Sequence, residues 1–346
     1  MAIQTVLGPV EREQLGLTLP HDHLFIDLTC QFAKPTEANA REQAYEPVGP
    51  EHYELLARNP YALRDNLLLD DVDLTVAEIS RFQAAGGRTV VDCTSVGAGR
   101  DVAKLVAVAQ RTGLNIIMGC GYYLQETHPP ELAELSPEAM AEVMVRELTV
   151  GVGDSGVRAG IIGEIGTGDP IGPGEQKSLR AAALAHRATG APLQVHTYPW
   201  GRRGLEIADE LVDWGVDPAR LVICHIDVDL DLVSLRELLR RGVFIEFDDF
   251  GKEFPVEEDD HGFAGGPFAS DAQRVQVLAQ LVAEGYERQL LMTNDLCFKQ
   301  MLHRYGGRGY DHVLVDIVPQ LAAAGLSPAV LEQLLIHNPA RWLEPD

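Results

Sequence analysis

The chain has 346 residues, of which 46% are apolar and 23% charged, a globular balance that excludes disordered, collagen-like and coiled-coil classes. Acids outnumber bases by 52 to 28, a formal net charge of −24, which argues against nucleic acid and anionic membrane surfaces as partners because both require cations to meet their phosphates. No run reaches the roughly 18 apolar residues of a membrane span, and the N-terminal residues lack the basic segment and apolar run of a secretory leader.

Eight short apolar runs rich in β-formers follow in chain order, at residues 17–27, 88–93, 115–123, 158–166, 192–198, 221–227, 243–250 and 290–297. Helix-like segments lie between them, among them 103–111, 137–150, 175–189, 205–214, 232–240 and 272–284. Strands alternating with helices predict βα units on a parallel sheet. Eight such units predict closure into a (β/α)8 TIM barrel, with residues 1–346 forming one domain. Three departures stand out: a long segment at 29–73 with a short helix near 51–58, an acidic Gly-rich segment at 252–270, and a C-terminal helical extension after residue 298. Long excursions of this kind are lids and binding loops, or plain surface detours. Cys93, Cys120 and Cys224 sit inside apolar runs without paired spacing, so buried thiols in a reducing, cytoplasmic compartment are expected.

The chemistry begins at His21 and His23. Residues i and i+2 of a strand share a face, so two imidazoles there can converge on one ion, although an isolated HxH is equally two polar residues at a strand end. His196 then ends the fifth run and His225 the sixth. Asp295 lies near the end of the eighth, and Glu164 stands inside the apolar stretch IIGEIG. A carboxylate in such a stretch needs a partner, because desolvating a bare charge is costly. Barrel enzymes gather their reactive groups at the C-terminal ends of several strands. Imidazoles with carboxylates and no thiolate suit zinc, manganese, cobalt or iron. Six ligands exceed what one tetrahedral ion requires, so two divalent ions sharing Glu164 fit the count.

These residues, with TVLGPV, HDH, AGIIGEIGT, QVHT, ICHID, FIEFDDFGKE, TNDLC, YGGRGYDHVL and NPARWL, make the chain resemble the phosphotriesterase family of the amidohydrolase superfamily, in its phosphotriesterase-related branch. The resemblance runs through essentially the whole chain. It implies a binuclear barrel, commonly a homodimer. His21, His23 and Asp295 would hold a buried ion, His196 and His225 a more exposed one, and a strand-4 residue would bridge the two. In better-known phosphotriesterases the bridge is a carboxylated lysine, whereas this chain has Glu164, and Gly163 and Gly166 beside it would let the shorter side chain approach the ions. A His or Arg that usually follows strand 7 is replaced by Asp248–Asp249, which puts efficient phosphotriester hydrolysis in doubt.

The expected activity is therefore cleavage of a carboxylic ester, lactone or N-acyl amide, with weak phosphotriesterase activity at most. A metal-bridging hydroxide would attack, and Asp295 would take its proton. The acidic surface suits a neutral or amphipathic small molecule. Tyr122 and Tyr123 after strand 3, and Lys252 after strand 7, are candidate substrate contacts. Thr94, Ser95 and Trp200 could also face substrate. Arg100, Arg202 and Arg203 are expected mainly at the surface. Asp227 and Asp248 are candidates to orient ligand imidazoles. His52, His128, His186, His261, His303, His312 and His337 are expected not to bind metal. Two other readings are a mononuclear deaminase, which would carry a Glu where this chain has Pro199, and a non-catalytic small-molecule-binding barrel.

Overall fold

Apolar runs such as NIIMGC and IIGEI are buried on both faces, as strands of a parallel sheet under helices must be. The computed structural model describes residues 2–35, 42–255 and 266–344. Its main sheet comprises β1 (Leu17–Asp22), β2 (Gly87–Asp92), β3 (Asn115–Cys120), β4 (Ile161–Ile165), β5 (Leu193–Val195), β6 (Leu221–Ile223), β7 (Phe244–Phe247) and β8 (Leu290–Met292). Neighbours in sequence pair in parallel from β1 through to β8. Closure between β8 and β1 comes from Thr293 Oγ1, which donates to the His21 carbonyl at 2.7 Å, and from the Asp295 amide, which donates to the same oxygen at 3.3 Å. The architecture is a (β/α)8 barrel.

Helices α1 (Val72–Ala84), α2 (Val102–Thr112), α3 (Pro137–Thr149), α4 (Pro173–Thr189), α5 (Gly204–Asp213), α6 (Leu232–Arg240), α7 (Asp271–Ala283) and α8 (Val318–Ala323) follow the successive strands. Side-chain caps start several of them: Asp71 accepts from the Leu74 amide, Asp101 from Lys104, Ser136 from Ala139 and Ser270 from Gln273. The floor of the barrel is closed from both ends of the chain. Ile3 and Leu15 pack there with Trp342 and Leu343 of the C-terminal helix Asn338–Leu343, against Val91, Ile117, Ile161, Val222 and Leu291. Trp342 is fully buried, and its Nε1 donates to the Arg220 carbonyl at 3.1 Å.

Several strands are shorter than the apolar runs that predicted them. The 17–27 run breaks after Asp22, and Ile26–Asp27 instead pairs antiparallel with Leu68–Leu69 inside the 29–73 excursion. The 115–123 run ends at Cys120, where Gly121 turns the chain at φ +112. The physical reason is the same at most strand tops. The amides leave the ladder and donate to buried aspartates: Leu24 and Thr94 to Asp92, Leu296 to Asp22, His225 to Asp248 and Asp249 to Asp227. These aspartates hold the loop starts in place and free the following side chains to aim inward.

The short helix expected near 51–58 is present as Tyr53–Arg58. His261 lies outside the described residues, as does most of the acidic segment expected at 252–270. Cys93, Cys120, Cys224 and Cys297 are buried, Cys30 is exposed, and none is in a disulfide. Among the described residues no helix is long and apolar enough to cross a membrane.

Candidate metal centre

Glu164 projects from β4 into the upper end of the barrel, and four imidazoles surround it. Its Oε2 lies 3.3 Å from His196 Nδ1, 3.5 Å from His225 Nε2 and 3.6 Å from His21 Nε2, while Oε1 lies 3.4 Å from His23 Nε2. Asp295 Oδ1 approaches His23 Nε2 at 3.1 Å and His21 Nε2 at 3.5 Å. The six residues singled out in the sequence thus share one space. His21, His23 and Asp295 form one cluster of potential ligand atoms within 4.8 Å of one another, and His21, Glu164 and His225 form another. His225 and Asp295 sit at φ +59 and +42, the left-handed region that costs non-glycine residues energy and is concentrated at functional sites.

Hydrogen bonds outside the cluster fix which imidazole nitrogen is free. Thr94 Oγ1 donates to the Phe25 carbonyl at 2.8 Å, so it can only accept from His23 Nδ1, also at 2.8 Å. That leaves a lone pair on His23 Nε2, facing Glu164 and Asp295. His21 Nδ1 donates to Glu246 at 3.1 Å and His225 Nδ1 donates to Asp248 at 3.2 Å, so their Nε2 lone pairs also face inward. Three lone pairs directed at carboxylate oxygens repel them unless a cation lies between. His21 Nε2 and Glu164 Oε2 are both buried and without a hydrogen-bond partner. The donor set therefore fits divalent ions. Without them, protons are the remaining counter-charge. Burial opposes protonation of His23, but hydrogen bonds to Asp295 and Glu164 outweigh it and push its pKa up to about 9. Burial likewise works against the charge on Glu164, and His21, His196 and His225 reverse the balance and hold its carboxyl well below the usual range.

The glycines flanking Glu164 act on packing. A Cβ on Gly163, whose φ is +135, would come 2.5 Å from the Gln194 carbonyl oxygen, so β4 can lie against β5 only with glycine there. A Cβ on Gly166 would meet the Leu124 amide at 2.3 Å.

The other candidates divide. Tyr123 lines the cavity above Glu164, with its hydroxyl 3.3 Å from His196 Nδ1. Tyr122 does not: successive side chains point to opposite sides, and its ring packs on His128 with centroids 6.0 Å apart. Lys252 is buried, bonds Asp295 Oδ2 and lies 3.1 Å from Asp249 Oδ1. Thr94 is committed to His23 rather than to the cavity. Arg100, expected at the surface, is buried against Glu147 in a two-pronged pair at 2.7 and 2.9 Å. Arg202 and Arg203 bind surface carboxylates as expected. Asp248 does orient an imidazole, but Asp227 pairs with the buried Arg274 at 2.9 Å. Glu246, overlooked in the sequence, carries the same signal as Glu164, a lone acid in an apolar run (FIEF). The close groupings of potential ligand atoms contain His21, His23 and His225 among the described histidines, while His196 joins the site through its 3.3 Å approach to Glu164.

The cluster forms the floor of a cavity of about 460 Å³. Its walls come from the excursion after β1 (Asn59, Pro60, Tyr61) and from the loops after β5 (Tyr198, Trp200), β7 (Phe254, Phe268) and β8 (Phe298).

Comparison with known proteins gives the family. The model of the phosphotriesterase family matches residues 1–343. An N-acetyltaurine hydrolase of Danio rerio is 35% identical, over 99% of this chain and 97% of the relative. A resiniferatoxin-binding protein from Rhodobacter sphaeroides superposes with a TM-score of 0.95 at 37% identity, covering 99% of this chain and 95% of that one. A mutant of a PTE-like lactonase from Deinococcus radiodurans does so with a TM-score of 0.76 at 31% identity, over 99% of this chain and 100% of that one. The chain belongs to the phosphotriesterase family and is a hydrolase.

Proposed function

We propose that this protein is a binuclear metal hydrolase that cleaves a carboxylic ester, lactone or N-acyl amide. The observation that carries the reading is Glu164, one carboxylate in contact with all four imidazoles. His21, His23 and Asp295 would hold one ion, His196 and His225 the other, and Glu164 would bridge them without the CO₂ that a carboxylated lysine needs. Zinc is the first choice, with manganese, cobalt and iron also suited to nitrogen and oxygen donors. When bound, divalent ions would acidify water and polarise the scissile carbonyl.

The chain's own groups supply the remainder. Asp295 takes the proton of the attacking water at a carboxylate oxygen and returns it to the departing oxygen or nitrogen. Lys252, bonded to Asp295 Oδ2 and 3.1 Å from Asp249 Oδ1, orients the Asp295 carboxylate. Tyr123 directs its hydroxyl toward His196 at the substrate side. The walls of the cavity keep bulk water from the reacting carbonyl.

Acyl cleavage is favoured over phosphotriester cleavage by relatives named as an amide hydrolase and a lactonase, and by Asp248–Asp249 in place of the expected His or Arg. A mononuclear deaminase would leave Glu164 without a role and has Pro199 where it needs an acid. Unpaired cysteines favour a cytoplasmic setting, and the family resemblance favours a homodimer. The test is elemental analysis of purified protein with turnover of lactones, aryl esters and N-acyl amides after loading with Zn²⁺ or Mn²⁺. Two ions per chain and acyl turnover are expected; one ion per chain, or inactivity across the set, overturns the reading.

A further inference from the structure

Above the ligand cluster the rings form an unbroken chain. Tyr198 meets Trp200 at 5.7 Å between centroids, Trp200 meets Phe268 at 5.1 Å, Phe268 meets Phe254 at 5.1 Å, Phe254 meets Phe298 at 6.3 Å, and Phe298 meets Tyr61 at 5.4 Å. All five contacts are edge-on, the arrangement favoured by the ring quadrupole. Four different βα loops contribute, so the collar is a tertiary construction. All six rings face the cavity whose floor is Glu164.

The charges around the same cavity are lopsided. Among its described lining residues Lys252 is the sole lysine or arginine, and its ammonium is already engaged by Asp249 and Asp295. Lys299, next to Phe298, is held by Asp65, and Arg202 and Arg203, which follow Trp200, are tied to Asp229 and to Asp169 and Glu206. Among the described lining residues an anionic group entering the collar would lose its water and meet only Lys252, already bound by two carboxylates. A flat apolar ring would instead extend the edge-to-face chain.

From this we infer that the substrate is an uncharged acyl compound whose part beyond the scissile carbonyl carries an aromatic or alicyclic ring, held by the collar from Tyr198 to Tyr61, and that small anionic N-acyl conjugates are poor substrates. The inference rests on the acyl-hydrolase reading above and narrows it.

The experiment compares three N-acetyl amines and their acetate-ester counterparts on Zn²⁺- or Mn²⁺-loaded protein: phenethyl (neutral, ringed), propyl (neutral, ringless) and ethanesulfonate (anionic). kcat/KM for the phenethyl compounds is expected to exceed both others by at least about tenfold. Phe268→Ala and the milder Trp200→Leu are expected to remove most of that advantage, read as the ratio of phenethyl to propyl kcat/KM within each variant. Equal or better turnover of the ethanesulfonate compounds, or no gain from the ring, overturns the inference while acyl hydrolysis stands. If none of the compounds turns over, the acyclic ester and amide part of the acyl-hydrolase reading fails, and calorimetric binding of 5-phenyl-2-pentanone, the neutral ketone with CH2 in place of the ester oxygen, decides the collar separately. Saturable binding that is lost in Trp200→Leu supports it, and absence of binding overturns it.

Discussion

Glu246 and His21 are joined by a 3.1 Å hydrogen bond between Oε2 and Nδ1, with both side chains fully buried. The same oxygen accepts from Gln194 Nε2 at 2.8 Å, so the carboxylate is fixed from two strands. This bond presents the His21 Nε2 lone pair to the ligand cluster. Glu246→Gln keeps the shape but removes the charge that favours the required tautomer. Metal affinity, read by competition with a chromogenic chelator, should fall by about 10–100-fold, with little change in unfolding midpoint. Unchanged affinity would show that His21 needs no such partner.

Glu164 should be replaceable only at the cost of the ions. Glu164→Ala should retain at most one equivalent of metal by elemental analysis. Wild-type activity should be the same in bicarbonate-free and bicarbonate-supplemented buffer, because the bridging carboxylate is part of the side chain. Stimulation by bicarbonate would mean that a lysine elsewhere is being carboxylated.

Asp295 is asked to move a proton. Burial would raise its pKa, but the Lys252 ammonium and the neighbouring imidazoles hold the carboxyl well below its usual range, so it is ionised and ready to accept. Asp295→Asn should retain most of the metal and lose about 10²–10⁴-fold in kcat. Lys252→Met, which removes the group orienting Asp295, should lower kcat by a smaller factor. Near-normal kcat in Asp295→Asn, measured on metal-replete protein, would remove it from that role.

The strand cores and the six clustered residues were legible because both break expectation locally. A parallel strand buried on two faces is a near-continuous aliphatic run, and an acid or imidazole inside one has no reason to be there without a partner. What surrounds the cluster was hidden because its contacts are long-range. Arg100 reads as an ordinary surface cation and Lys252 as a substrate contact, and only folding brings Glu147 and Asp295 to them. Glu246 meets His21 across 225 positions of sequence. The strand ends differ from the apolar runs for a related reason: apart from Asp92, which takes the Thr94 amide of its own strand, the buried aspartates that draw loop amides off the ladder lie on neighbouring strands or loops.

Trp342 tests the floor of the barrel. Its ring fills the space below Val91, Val222 and Leu291, and its indole N–H reaches the Arg220 carbonyl. Trp342→Ala leaves a cavity and an unpaired acceptor, so urea unfolding should register a loss of about 3–5 kcal/mol. Since the site lies at the opposite end of the barrel, metal content per folded chain should be unchanged. A loss under about 1 kcal/mol would show that the C-terminal helix is dispensable to the fold.

The pH dependence of stability should carry the signature of His312. Its Nε2 donates to Asp271 at 2.7 Å and its Nδ1 to Asp316 at 2.8 Å, an arrangement that suits the doubly protonated ring. Burial opposes that charge, but the two carboxylates outweigh it and raise the pKa above 6.5. Because the folded protein binds this proton more tightly than the unfolded chain, the stabilisation is complete below about pH 6.5 and is lost as pH rises through the folded-state value. Asp271 sets the acid limit. Burial would raise its pKa, yet His312 and the Gly251 amide hold it down, so its contribution is present above about pH 4 and fades as pH falls further. Denaturation midpoints of the wild type should therefore decline from pH 6 to pH 9 more steeply than those of His312→Gln, which has no proton to lose. Parallel profiles would mean that the imidazole is neutral in the folded protein, with a single N–H that only one of the two carboxylates can accept.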